Sequence, residues 1–130
     1  MKYLGIDYGS KRVGIAISDE SGKLAFPKKV LENNRNLVSQ VAEIASEEKI
    51  VEIIIGESND LDGRANDIMT DIIRFKDALE PLAGITVHFE PEFFSTAQAE
   101  RIQGKSKNID ASAAAIILQS HLDRKHHGAI

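Results

Sequence analysis

Asp7 lies in the run MKYLGIDYGSKRVGIAISDE, inside an apolar, strand-like stretch between Ile6 and Tyr8. Gly5 and Gly9 flank it. A carboxylate in such a setting is costly without a partner, which can be a cationic side chain, a hydrogen-bond donor or a metal ion. Other acids stand at comparable places. Glu57 follows the apolar run IVEIIIG, Glu90 and Glu92 follow the alternating residues Ile85, Val87 and Phe89, and Asp110 heads the last helical segment. Ligands of open α/β sheets collect at the carboxyl ends of strands. Asp7, Glu57, Glu90 and Glu92 are expected at one such edge, with the Asp110 helix packing back against it. Clustered carboxylates repel one another. A hard divalent ion relieves that repulsion, and oxygen donors suit Mg²⁺ or Mn²⁺. Two such ions about 3.5–4 Å apart activate a water and stabilise the leaving oxygen of a phosphodiester.

Each acid also has a plainer reading. Asp110 is a helix N-terminal acid favoured by the dipole. Glu92 is a solvated loop residue, and Asp60 and Asp62 make turns. Asp7 is the hardest to explain without chemistry. The histidines point less clearly to a site: His88 reads as an outward residue, and the adjacent His126 and His127 as solvated at a frayed helix end. Gly5-x-Asp7-x-Gly9 is too short for a dinucleotide fingerprint.

Two stretches carry positive charge: Lys11 with Arg12, and Arg101, Lys105 and Lys107. The net charge is −4, so any phosphate-binding surface has to be local. The plain alternative is a solvated helix end and loop.

The elements that hold these residues follow from periodicity. Residues 3–8 and 12–18 read as strands joined by a tight turn at Gly9-Ser10-Lys11. Gly5 and Asp7 share one side, opposite Leu4 and Ile6; Gly14 and Ala16 share one side, opposite Val13, Ile15 and Ile17. A third strand is expected over Lys23–Val30, then a helix over 36–49 with Leu37, Val41, Ile44 and Ala45 on one stripe. Residues 50–56 read as a strand covered on both faces. A polar loop follows, then a helix carrying Ile68, Ile72, Phe75, Leu79 and Leu82 that ends at Pro81. Ile85, Val87 and Phe89 mark the fifth strand. Ser95 and Gln98 form a capping box for a short helix. The last helix starts near Asn108–Asp110. The first two strands are antiparallel, and the helical crossovers make the later pairs parallel. The fold expected is α/β, a five-stranded mixed sheet flanked by helices.

Composition narrows the class. With 130 residues, 42% hydrophobic and 28% charged, the chain is sized for a single compact domain. It has no cysteine, which excludes disulfides and cysteine-ligated zinc. No apolar run reaches membrane-spanning length and no signal-type core appears, so a cytoplasmic location without membrane association is expected.

The motifs together resemble the YqgF family of pre-16S rRNA nucleases, also described as Holliday-junction resolvases, over nearly the whole chain. GIDYGSKRVGIAISD looks like the family's first motif, Asn59–Gly63 is similar to its loop after strand four, and IDASAAAIILQSHL looks like its last motif. The resemblance implies an RNase H-like three-layer fold and a single nuclease domain over residues 1–130. It also implies metal-binding catalytic residues Asp7, Glu92 and Asp110, Mg²⁺ or Mn²⁺ as cofactor, and structured RNA as substrate. Two stretches depart from the family pattern. Where it reads Asp-Glu-Arg, this chain has Pro91-Glu92-Phe93, and where it reads Gly-Leu-Pro, this chain has Gly56-Glu57-Ser58. Glu57 is thereby a candidate fourth metal ligand. Three other readings stay open: a resolvase of branched DNA acting as a homodimer, a nucleic-acid-binding module without catalysis, and an actin-like nucleotide binder.

Overall fold

A computed structural model describes residues 1–57, 67–91 and 109–127. The elements are β1 (Lys2–Tyr8), β2 (Arg12–Ser18), β3 (Ala25–Glu32), α1 (Leu37–Glu47), β4 (Ile50–Gly56), α2 (Asp67–Ala83), β5 (Thr86–Glu90) and α3 (Ile109–His127). The sheet order is β3-β2-β1-β4-β5. β1–β2 and β2–β3 are antiparallel, while β1–β4 and β4–β5 are parallel. The mixed five-stranded sheet expected from the periodicities is present.

Strand alternation divides the core in two. Leu4, Ile6, Val13, Ile15, Ile53 and Ile55 face α1 and α2, together with Leu37, Val41, Ile72, Phe75 and Leu79 from those helices. Tyr3, Ala16 and Ile54 face α3, which contributes Ala114, Ile117, Leu118 and Leu122. Leu4, Ile6, Ile15, Ile53 and Ile55 are completely buried, each contributing about 1.5–3 kcal/mol. That fixes the register, because a one-residue slip of β1 would drive Asp7 into the α1–α2 core.

The third strand begins two residues later than the periodicity indicates. The Asp19 carboxylate accepts hydrogen bonds from Ser21 Oγ (2.7 Å) and from the N–H groups of Lys23 (2.9 Å) and Leu24 (3.2 Å). The Ser21 bond, then those of Leu24 and Lys23, hold the Asp19 carboxyl at a pKa of about 2. Lys23 and Leu24 thus give their donors to the turn, and pairing starts with Ala25 opposite Ser18. Gly22 sits in this turn at φ +70°, where an added Cβ would lie 2.7 Å from the Tyr3 ring. Helix α2 carries Pro81 within its last turn and ends at Ala83.

Helix α3 runs antiparallel to β1. Ala114 and Leu118 lie over Gly5, and Lys125 Nζ sits 4.8 Å from the centre of the Tyr3 ring. The start of α3 therefore lies toward the carboxyl end of β1. Contact at Gly5 is tight: a Cβ there would come within 2.7 Å of Leu118 Cβ and 2.9 Å of the Ala114 carbonyl oxygen. Among the described residues, no helix is long and apolar enough to cross a membrane.

Gly5→Ala is expected to lower stability by about 1–3 kcal/mol, the usual cost of overpacking a filled core, read as a reduced melting temperature. An unchanged melting temperature would contradict the close seating of α3.

Candidate functional site

Asp7 is half-buried near the end of β1, and its Cα partner on β2 is Gly14. On the other side β1 and β4 pair through Gly5 with Ile54 and Ile6 with Ile55, so the next level sets Asp7 beside Gly56. Gly56 in turn pairs with Glu90. Asp7, Gly56 and Glu90 thus form a row across the carboxyl edge, on the side that carries α3. Two strand spacings separate the two acids, about 10 Å between Cα atoms. Neither neighbour of Asp7 in this row, Gly14 or Gly56, has a side chain.

The turn bearing Lys11 and Arg12 lies at the same edge, and both residues are exposed. Asn33 pins it, donating its side-chain amide to the Gly9 carbonyl (2.8 Å) and its backbone N–H to the Lys11 carbonyl (2.9 Å). Glu57 also lies here. Its N–H donates to the Glu90 carbonyl oxygen at 2.9 Å, extending the β4–β5 pairing. Position 110 falls one helical turn before Ala114, on the line that continues to Leu118. That register carries it toward the Asp7 end of β1. Glu92, Arg101, Lys105 and Lys107 lie outside the described residues, as do the loop Asn59–Gly63, Phe93 and the capping box at Ser95.

Glu90 departs from the expectation of an edge carboxylate that shares a metal. It is completely buried. Ser120 Oγ donates to it at 3.1 Å, the Arg124 guanidinium is hydrogen-bonded to it, and His121 Nδ1 lies 3.5 Å away. Its compensating charge is therefore an arginine. The physical reason is register: Glu90 points to the α3 side, and Ser120 and Arg124 stand one turn apart on the helix that covers it. The serine and arginine four residues apart in the last helix were the available signal.

Glu52 lies beside this group. It contacts His88 Nε2 at 2.7 Å and accepts from Lys125 Nζ at 3.1 Å. The rings of His88 and His121 stack with centroids 6.2 Å apart. Burial pushes the Glu52 carboxyl up, but hydrogen bonds from Lys125 and His88 outweigh it and leave it below its usual range. Burial holds His121 below the ordinary imidazole value against the opposing pull of Glu90. His88 is thus part of a polar cluster rather than a plain outward residue. His126 is exposed, as expected, and its Nε2 lies 3.0 Å from the Gly22 carbonyl. Among the described residues, no group of three or more His, Asp or Glu side chains is arranged to hold a metal ion.

The family model "RuvX: Holliday junction resolvase" matches residues 1–124. A protein of Maridesulfovibrio salexigens named "Putative pre-16S rRNA nuclease" is 37% identical, covering 95% of this chain and 99% of its own length. One of the same name from Syntrophus aciditrophicus is 35% identical, covering 95% and 89%. Among solved structures, Thermus thermophilus RuvC matches with a TM-score of 0.68 and 16% identity over 98% of this chain and 97% of its own. The fowlpox virus Holliday junction resolvase matches with a TM-score of 0.57 and 15% identity, covering 95% of this chain and 99% of its own. These two likenesses are of fold, and they agree with the RNase H-like arrangement.

Arg124→Ala leaves Glu90 buried with only Ser120 and His121 beside it. The expected loss is about 2–3 kcal/mol, less than the roughly 3–5 of a pair buried on both sides, because half of the arginine is in water. Replacing both residues by glutamine should recover most of it in chemical denaturation. Equal losses in the single and double variants would contradict the pairing.

Proposed function

The chain belongs to the RuvX Holliday junction resolvase family, and we propose that it is a metal-dependent endonuclease. In this reading residues 1–130 are one nuclease domain that hydrolyses phosphodiesters in structured nucleic acid, with precursor 16S rRNA as substrate. The name carried by its relatives supports the RNA. The observation that carries the reading is the placement of Asp7. Tyr3 and Gly5, on the same side of β1, pack under α3, and the next residue on that side is a half-buried acid at the edge where ligands gather.

Asp7 fits a hard divalent cation in its chemistry: it offers carboxylate oxygens, and the residues beside it in the row, Gly14 and Gly56, lack side chains. Asp7, Glu92 and Asp110 would hold Mg²⁺ or Mn²⁺, with Glu57 as a candidate fourth ligand. When bound, the ion supplies the positive charge that activates the attacking water and stabilises the departing oxygen. The chain's own residues do the rest. Lys11 and Arg12, on a turn pinned by Asn33, hold substrate phosphates at the edge, and Arg101, Lys105 and Lys107 extend that contact. Phe93 stands where the family pattern has an arginine, so phosphate placement rests on these other cations.

Branched DNA is the second reading, favoured by the description of the family model. Two symmetric cuts need two sites, so this reading calls for a homodimer.

The test is cleavage of a labelled precursor-rRNA fragment, an unstructured RNA and a four-way DNA junction, each with Mn²⁺, Mg²⁺ or EDTA. Cutting should require the metal and fall more than about a hundredfold in Asp7→Asn, the scale of losing one transition-state charge stabiliser. The preferred substrate separates the two readings. A folded protein that binds these nucleic acids yet cuts none of them would overturn the enzyme.

A further inference from the structure

Beside the row that contains Asp7, a groove of about 390 Å³ lies between α3 and the β4–β5 strip, lined by Glu52, His88, His121, Arg124 and Lys125. Sequence reasoning assigned no role to it. Glu90 beneath the groove has no exposed side-chain surface, while Glu52 lines it at 26% side-chain exposure and engages His88 and Lys125. The Arg124, Lys125 and His88 side chains are 53%, 45% and 43% exposed.

Arg124 and Lys125 carry more N–H donors than their bonds to Glu90 and Glu52 use. Arg124 engages Glu90 through Nη2, one corner of a planar fork with five N–H donors. Lys125 has three ammonium protons, and its Nζ, bonded to Glu52, sits 4.8 Å from the centre of the Tyr3 ring. Carboxylates placed behind cationic groups fix where those groups point, as the outer partners of metal ligands do. Loose surface lysines lose more entropy when they capture an anion. The ligand chemistry that matches an outward set of fixed N–H donors is a phosphate oxygen.

The groove lies on the α3 side of the sheet, the side that carries Asp7. His88 pairs with Ile54, which pairs with Gly5, so His88 stands two strands across from β1 and two residues below the level of Asp7. Strand spacing and rise put the two Cα atoms about 12 Å apart. A nucleic-acid strand rising 3.4 Å per nucleotide spans that in about three to four nucleotides. We propose that Arg124 and Lys125, backed by Glu90 and Glu52, form a second subsite for a backbone phosphate of the bound nucleic acid, flanking the scissile position. The subsite rests on the nuclease reading above, since that reading supplies the ligand.

The experiment is equilibrium binding of fluorescent structured RNA and of a four-way DNA junction to the full chain in EDTA, across a range of NaCl concentrations. The variants are Lys125→Gln, Lys125→Arg and the double variant Glu90→Gln with Arg124→Gln, which removes a charge pair without stranding either member. Each protein is first matched for melting behaviour. Lys125→Gln and the double variant should each flatten the slope of log K against log salt by about 1, and weaken binding on every sequence alike. Lys125→Arg should keep the slope. Unchanged slopes and affinities in both Lys125→Gln and the double variant, with the parent binding normally, would overturn the subsite alone. A parent that binds neither nucleic acid would overturn the nuclease reading, and the subsite with it.

Discussion

Helix α3 crosses β1 at Gly5, where even a methyl group would come within 2.7 Å of Leu118 Cβ. Much of the α3 side of the molecule depends on that closeness. It lets Ala114, Ile117, Leu118 and Leu122 seal Tyr3, Ala16 and Ile54 into the smaller core. It also fixes the helix axis along β1, so that the helix begins at the end where Asp7 stands. The opposite face supports this by register. Ile6, Ile15, Ile53 and Ile55 are wholly buried against α1 and α2, so β1 cannot slip without burying an aspartate. A strand that must expose Asp7 at its end is thus held from both sides.

Helix α3 meets the acids of the sheet with two different halves. Glu90 and Glu52 are neutralised from within the fold, by Arg124 and Ser120 in one case and by Lys125 and His88 in the other. Those pairs tie the second half of α3 to β4 and β5. Asp7 stands level with Glu90 in the same row, across Gly56, yet α3 meets that part of the sheet with its first turns, where the helix offers Ala111 and Ala114 and no cation among the residues whose side chains are described. The helix therefore has a polar half that anchors and a small-residue half that packs closely.

Most of this architecture is legible in the sequence. Alternation in β1 and β2 separates Asp7, Gly5 and Gly14 from the large apolar residues, and the structure keeps that separation. The run IVEIIIG reads as a strand covered on both sides, and Ile54 and Ile55 do enter different cores. What periodicity misses depends on side-chain hydrogen bonds. The start of β3 shifts because Asp19 takes the N–H groups of Lys23 and Leu24. Glu90 appears to be an edge ligand until Arg124, far along the chain, is brought over it. The partners of the half-exposed His88 and the exposed His126, Glu52 and Gly22, are likewise set by the fold. Contacts between distant segments carry no local pattern. The roles of Glu92, Asp110, Arg101, Lys105 and Lys107 come from resemblance to a family, which periodicity alone does not supply.

The central claim is that a divalent ion binds at the carboxyl edge of the sheet through Asp7. Its most direct test is paramagnetic broadening of backbone amide signals as Mn²⁺ is titrated into isotope-labelled protein. The account expects signals from Ile6 to Gly9, Glu57 and Ala111 to broaden first. Those of Lys2 and Ile50, at the other end of the sheet, should stay sharp, and Asp7→Asn should abolish the pattern. Broadening centred on Glu52, His88 and His121, or a pattern unaltered in Asp7→Asn, would contradict it.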